Sequence, residues 1–246
     1  MKRIKTGLTG FILGDWLGMP YRGKGKGTFK PMWTKSYLRG DKCSGNTSML
    51  LCALDSCCNL ELYQQNLRDW YFNRKYTGEN IEFDIDQVTQ KAIMKNFRGV
   101  SSDSNSGNRS LMGCCVLAFS PLSKEEIFPF IKITHNSRYS FKYTWFFIEF
   151  IRCLLEYEDK EQALQQAEQR CDVEVNRQNL CNGNFVVDTV ESVVNWFMAG
   201  NSYKECVFSA INSGKSSDAV GALTGLLAGI YYGLELKNGV KGFETM

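Results

Sequence analysis

The chain has one histidine, His135, in 246 residues. A zinc centre built on several histidines is therefore excluded, and with no C-x-x-C anywhere a Cys/His zinc knuckle is disfavoured. Prolines number four and no low-complexity tract occurs, which argues against a string of flexible modules. Charge of one sign is missing too: 29 basic against 26 acidic residues leave +3, too balanced for a general polyanion binder, so nucleic acid is not an expected partner. No long hydrophobic run is present. The mildest stretch, Val220 to Leu236, holds four glycines and falls short of the roughly 20 apolar residues of a membrane span. The basic start, Met1-Lys-Arg-Ile-Lys, is followed by a short, glycine-bearing apolar stretch that runs into Asp15, which does not make a signal peptide. Ten cysteines, several inside apolar periodic segments and two pairs adjacent (Cys57–Cys58, Cys114–Cys115), suit reduced thiols in a cytoplasmic protein better than a secreted disulfide framework.

What is present is globular: 43% hydrophobic and 22% charged residues can close a sizeable core. Periodicity is helical nearly throughout, and it predicts helices over 4–16, 47–58, 66–76, 87–97, 110–119, 124–134, 143–157, 159–170, 185–198, 202–212 and 218–232. Ser202-Tyr-Lys-Glu205 reads as a capping box. Gly221, Gly225 and Gly229 share one face of the last helix, and Gly7, Gly10 and Gly14 lie along the first. A glycine costs a helix about 1 kcal/mol, so such rows imply close backbone approach. Loops rich in Gly, Ser, Asn and Lys interrupt at 22–28, 40–46, 101–109, 181–184 and 212–217. Strand signals are scarce. The expectation is one compact all-α, multi-helix domain over residues 1–246.

The loops carry a further pattern. Gly10-Phe-Ile-Leu-Gly14-Asp15-Trp-Leu-Gly18-Met-Pro20-Tyr-Arg22 resembles the opening G-x-x-x-G-D-A-L-G-x-P-x-E of the ADP-ribosylglycohydrolases, the group that includes the dinitrogenase reductase-activating glycohydrolases. Cys43-Ser-Gly-Asn-Thr-Ser-Met49 is similar to their W-[ST]-D-D-T-x-M, Phe83-Asp84-Ile85-Asp86 to F-D-I-G, and Gly107-Asn-Arg-Ser-Leu-Met-Gly113 to G-N-G-[SA]-L-M-R. Thr134-His135 falls where the family has T-H. Phe185-Val-Val-Asp-Thr189, Ser202-Tyr-Lys-Glu-Cys206 and the run from Ala210 to Gly225 resemble V-V-D-T, S-Y-E-E-C and A-V-N-x-G-x-D-T-D-T-V-G-A-x-T-G. These motifs are co-linear over residues 5–233. The resemblance implies a single all-helical domain and a cleft where ADP-ribose glycosidic bonds are cleaved with two magnesium ions.

The residues for that chemistry are largely replaced. Gly45 and Asn46 stand for the first pair of aspartates, Ser216 and Ala219 stand in the last loop, Arg22 stands for the opening glutamate, and Gly113 for an arginine. Asp218 is the one carboxylate left from the two metal loops. Magnesium prefers hard oxygen ligands including carboxylates, and a dinuclear pair needs several. No catalytic residue, metal or cofactor is therefore expected. The site either decayed or was rebuilt, and the added cations favour rebuilding. Arg22, Arg109 and Lys215 would attract phosphate, Arg through a planar fork of donors. Ser44, Asn46, Asn108, Ser216, Ser217 and Asp218 would line the cleft, with backbone N–H groups at the start of the Asp218 helix facing the anion. His135 would line the pocket, and Phe185 would stack on a base or pack in the core. Lys24 and Lys26 form a lid or a solvated turn. Asp15 and Asp84 match family positions, where at least one should bond backbone or loop groups.

Three functions follow from this reading. The first is a non-catalytic, pseudoenzyme binder of an ADP-ribose-like nucleotide, fit to sequester a nucleotide signal in host–virus conflict or as an immunity factor. The second is an altered glycohydrolase using one ion or none, with Asp218, Asp15 or Asp84. The third is a protein-binding scaffold with a vestigial cleft.

Overall fold

The computed structural model describes residues 1–30, 44–77, 83–98 and 102–234. Cys43, part of the 40–46 loop and the tail from 235 lie outside them. Among the described residues eleven α-helices occur: α1 (Lys2–Gly18), α2 (Gly45–Asp55), α3 (Leu60–Asn73), α4 (Gln87–Met94), α5 (Arg109–Cys114), α6 (Lys124–Lys132), α7 (Arg138–Glu156), α8 (Lys160–Cys171), α9 (Val186–Ala199), α10 (Tyr203–Asn212) and α11 (Ser217–Tyr231). No strand forms among the described residues, and Gly107 and Phe185 make one isolated antiparallel bridge. No described helix is long and apolar enough to cross a membrane.

Capping chemistry sets most of the starts. Ser44, Asn59, Asp86, Ser123, Ser137, Asp159 and Ser202 each accept a first-turn backbone N–H with the side chain. That corrects two expectations. Helix α3 starts at Leu60 rather than 66 because Asn59 accepts from Leu62, and α7 starts at Arg138 rather than 143 because Ser137 accepts from Ser140. Apolar periodicity misses these first turns, where polar residues such as Glu61, Gln64, Gln65, Arg138 and Lys142 interrupt the apolar pattern. The expected 110–119 helix divides into α5 and a 3-10 turn over Cys115–Phe119. Pro129 sits inside α6, which keeps its helix with the full Ser123/Glu126 capping box at its start.

The core surrounds α7, whose Phe146, Phe147, Ile148, Phe150 and Ile151 are fully buried, and it takes in α2, α5, α9 and α11. The glycine rows of α1 and α11 face each other. A methyl group at Gly14 would overlap the Gly221 carbonyl, and one at Gly225 would overlap the Gly10 carbonyl. This seam lays the two backbones in contact and brings Asp15 of α1 beside the N-terminus of α11, where Asp218 stands.

Candidate functional site

Six segments converge on one cleft of about 600 Å³. Arg22 and Gly23 come from the turn after α1, Asn46 from the start of α2, and Asp84, Asp86, Gln87 and Val88 from the entry to α4. Gly107 to Arg109 come from the start of α5, Asn182 to Asn184 from the loop before α9, and Lys215, Ser216, Asp218 and Ala219 from the start of α11. The cleft joins loops far apart in sequence because each precedes or follows a helix end at the same side of the bundle. Two backbone pairings fix that side: Asn108 N–H donates to Asn184 O at 2.9 Å, and Ser216 N–H to Asn182 O at 3.2 Å.

The floor is a charge network. Arg22 Nε donates to Asp218 Oδ2 at 2.8 Å, and Arg22 Nη2 lies 2.7 Å from Asp84 Oδ2 and 2.6 Å from Asp218 Oδ2. Arg109 Nη2 reaches the two Asp84 oxygens at 3.3 and 3.2 Å. Partial burial would push the Asp84 carboxyl up, but Arg109 and Arg22 outweigh it and hold it down at about 2. Burial likewise acts to lower the Arg22 pKa, and the Asp218 and Asp84 charges reverse this and raise it.

Behind this layer lies Asp15, 1% exposed. It accepts from the Ser44 and Thr47 hydroxyls, from Thr47 N–H and from Asn46 Nδ2, which also donates to Asp218 Oδ2 at 2.9 Å. Burial, followed by the Asp218 charge, pushes Asp15 up to about 6 against those hydrogen bonds. Asp84 Oδ2 accepts from Gly45 N–H at 3.2 Å, so both Asp15 and Asp84 bond loop or helix-start backbone.

Not every sequence candidate faces the cleft. Arg22, Asn46, Asn108, Arg109, Lys215, Ser216 and Asp218 line it. Ser44 does not, since its hydroxyl caps α2 and donates to Asp15. The buried Ser217 hydroxyl donates to Gly18 O at 3.0 Å, fastening α11 to the end of α1. His135 is 1% exposed, with Nδ1 on Thr134 Oγ1 at 2.9 Å and Nε2 unpartnered behind Gly107. Burial lowers its pKa, with Asp86 opposing and Arg109 adding to the effect. Phe185 sets its ring edge-on to Tyr139, centroids 5.3 Å apart.

The Gly23–Gly27 loop is docked rather than free. Gly23 and Lys215 exchange with that neighbourhood through Gly23 N–H to Lys215 O at 2.7 Å and Lys215 N–H to Lys24 O at 3.0 Å, and Gly27 N–H bonds Asn212 O at 2.9 Å. Gln87 and Val88 join the lining without having been singled out from the sequence, alongside Asp86 of the F-D-I-D segment and the Asn182–Asn184 loop.

A sequence model of the ADP-ribosylglycohydrolase family matches residues 1–236. The chain belongs to the ADP-ribosylglycohydrolase family. A 51-residue segment is 35% identical to the ADP-ribosyl-[dinitrogen reductase] glycohydrolase of Rhodospirillum rubrum, covering 21% of this chain and 17% of that protein's length. A solved structure described as an ADP-ribosylglycohydrolase-related protein complex superposes with TM-score 0.76 at 23% identity, over 97% of this chain and 90% of that one. That likeness shows the fold.

The residues present do not fit the pair of magnesium ions that the family resemblance implies. Asp84 and Asp218 direct their shared oxygens at the Arg22 guanidinium, and Asn46 turns an N–H₂ donor rather than an oxygen towards Asp218. Among the described residues no group of three or more His, Cys, Asp or Glu side chains is arranged to hold a metal.

Proposed function

We propose that this ADP-ribosylglycohydrolase-family chain is a pseudoenzyme that binds an anionic, ADP-ribose-like nucleotide in the cleft without metal and without turning it over. The observation that carries the reading is the mutual fit of the replacements. A side chain at Gly45, where the family has aspartate, would collide with the Asp84 carbonyl and with Arg109 Nη1. Arg22 pairs with both carboxylates at the floor, and Asn46 bridges Asp15 to Asp218. Even Gly113, standing for an arginine, is required by the Tyr63 hydroxyl packed against it. Gly45 leaves the room that Arg109 takes, and Arg22 and Asn46 both bond Asp218, so these changes accommodate one another.

The role expected for Arg22 changes accordingly. Its fork is spent on carboxylates, so the cation left free of carboxylates to meet phosphate is Lys215, exposed at the cleft rim, with Arg109, itself paired to Asp84, lining the wall. A charge-assisted hydrogen bond contributes about 1.5–3 kcal/mol, so losing one weakens binding roughly ten- to a hundredfold. Sequestration of a nucleotide signal, as in host–virus conflict, is the biological use that goes with binding without turnover. A cytoplasmic setting accords with the nine described cysteines, all free.

Calorimetry with ADP-ribose, its cyclic isomers and related nucleotides, in EDTA, tests the reading on wild type, Arg109→Ala and Lys215→Ala. Binding by wild type and the stated loss in at least one variant are expected. A panel with no binder ends the nucleotide reading, and EDTA-sensitive release of ADP-ribose from modified arginine or serine ends the non-catalytic one.

A further inference from the structure

Asp84 and Asp218 arrive from different segments, yet their Oδ2 atoms converge on one nitrogen, Arg22 Nη2, at 2.7 and 2.6 Å. Two carboxylates brought together in this way repel unless a cation stands between them. Asn46 Nδ2 stands beside them, donating to Asp218 Oδ2. A small ion between Asp84 and Asp218 would be met by two carboxylates, and here the place holds a guanidinium.

We propose that Arg22 is the resident cation of the cleft: it occupies the space between Asp84 and Asp218 that a divalent ion would need, and thereby excludes such ions until the side chain is removed. The inference is independent of whether a nucleotide binds above it.

Charge balance supports this. Asp84, Asp86 and Asp218 face Arg22 and Arg109 at the floor, with Asp15 buried behind them, an excess of two negative charges when all are ionised. Losing Arg22 raises the excess to three and frees two carboxylate oxygens and their shared gap. A tethered guanidinium also has an advantage that no dissolved ion has, because its local concentration does not depend on supply. Its planar fork reaches both acids at once, which a lysine ammonium on one stem does less well.

The test is a Mn²⁺ titration followed by electron paramagnetic resonance, in which bound ion loses the sharp signal of free ion. Wild type, Arg22→Ala, Arg22→Lys and the double variant Arg22→Ala/Asp218→Asn are compared. Arg22→Ala should bind one ion per chain at least about tenfold more tightly than wild type or Arg22→Lys, and the double variant should lose that gain. Stoichiometric Mn²⁺ binding by wild type that Asp218→Asn abolishes overturns the proposal, as does folded Arg22→Ala that binds no better than wild type. Should Arg22→Ala not fold in EDTA, recovery on refolding with Mn²⁺ supports the proposal, and equal failure with and without the ion overturns it.

Discussion

Replacing Gly14 or Gly225 by alanine sets two effects of opposite sign against each other. Both lie inside helices, α1 and α11, where alanine is favoured over glycine by about 1 kcal/mol. If helix propensity decided, each variant would be more stable. The seam argues otherwise. The new methyl at 14 meets the Gly221 carbonyl, and the one at 225 meets the Gly10 carbonyl. Backbone atoms cannot rotate away as a side chain can, so the helices must part. Parting them opens the packing of buried Leu226 and Ile230 against Gly7 of α1. Overpacking of this kind typically costs 1–3 kcal/mol, and loss of the neighbouring contacts adds to it. After the propensity gain the net expectation is a destabilisation of about 2 kcal/mol per site. That corresponds to a fall of roughly 4–8 °C in Tm for a chain of this size. Urea unfolding followed by circular dichroism measures it. Midpoints equal to or above wild type with an unchanged slope would refute the close-packed seam. The same variants should impair the cleft, since the seam holds Asp15 against Asn46 and Asp218.

The remaining predictions concern charge. The Asp15 pKa, raised to about 6 in the fold, lies above the unfolded value near 3.9. Between about pH 4 and 6 the folded state therefore binds more protons, and stability falls as pH rises through that window, by about 3 kcal/mol in total. Asp15→Asn should flatten that slope in pH-dependent urea unfolding, and an unchanged slope would show that another group titrates. Asp84 acts with the opposite sign: depressed to about 2, it stabilises above pH 4, and this contribution fades as pH falls towards 2. Lys160 Nζ donates to the Met198 and Gly200 carbonyls and to the Tyr232 hydroxyl at 3.0, 2.8 and 2.8 Å. Lys160→Met should therefore cost about 2–4 kcal/mol in the same assay, and a change under about 0.5 kcal/mol would mean that water replaces the ammonium without penalty.

The amino-acid sequence by itself determined the helical class, the glycine rows, the cap at Ser202 and the family, because these rest on local spacing and ordered motifs. It also marked which carboxylates were replaced. It could not say what the replacements do, because that depends on which distant side chain occupies the space each one vacates. Arg22 read as a cation for phosphate, but the tertiary structure places Asp84 and Asp218 within reach of its fork, 62 and 196 residues away along the chain. Ser217 read as a cleft hydroxyl, but the turn of α11 directs it to Gly18. Gly45 read as a lost ligand, and only packing reveals it as the room Arg109 needs. Helix formation is governed by neighbours in sequence, whereas the protonation and pairing of a buried charge are governed by neighbours in space, and those neighbours are fixed only when the helices dock.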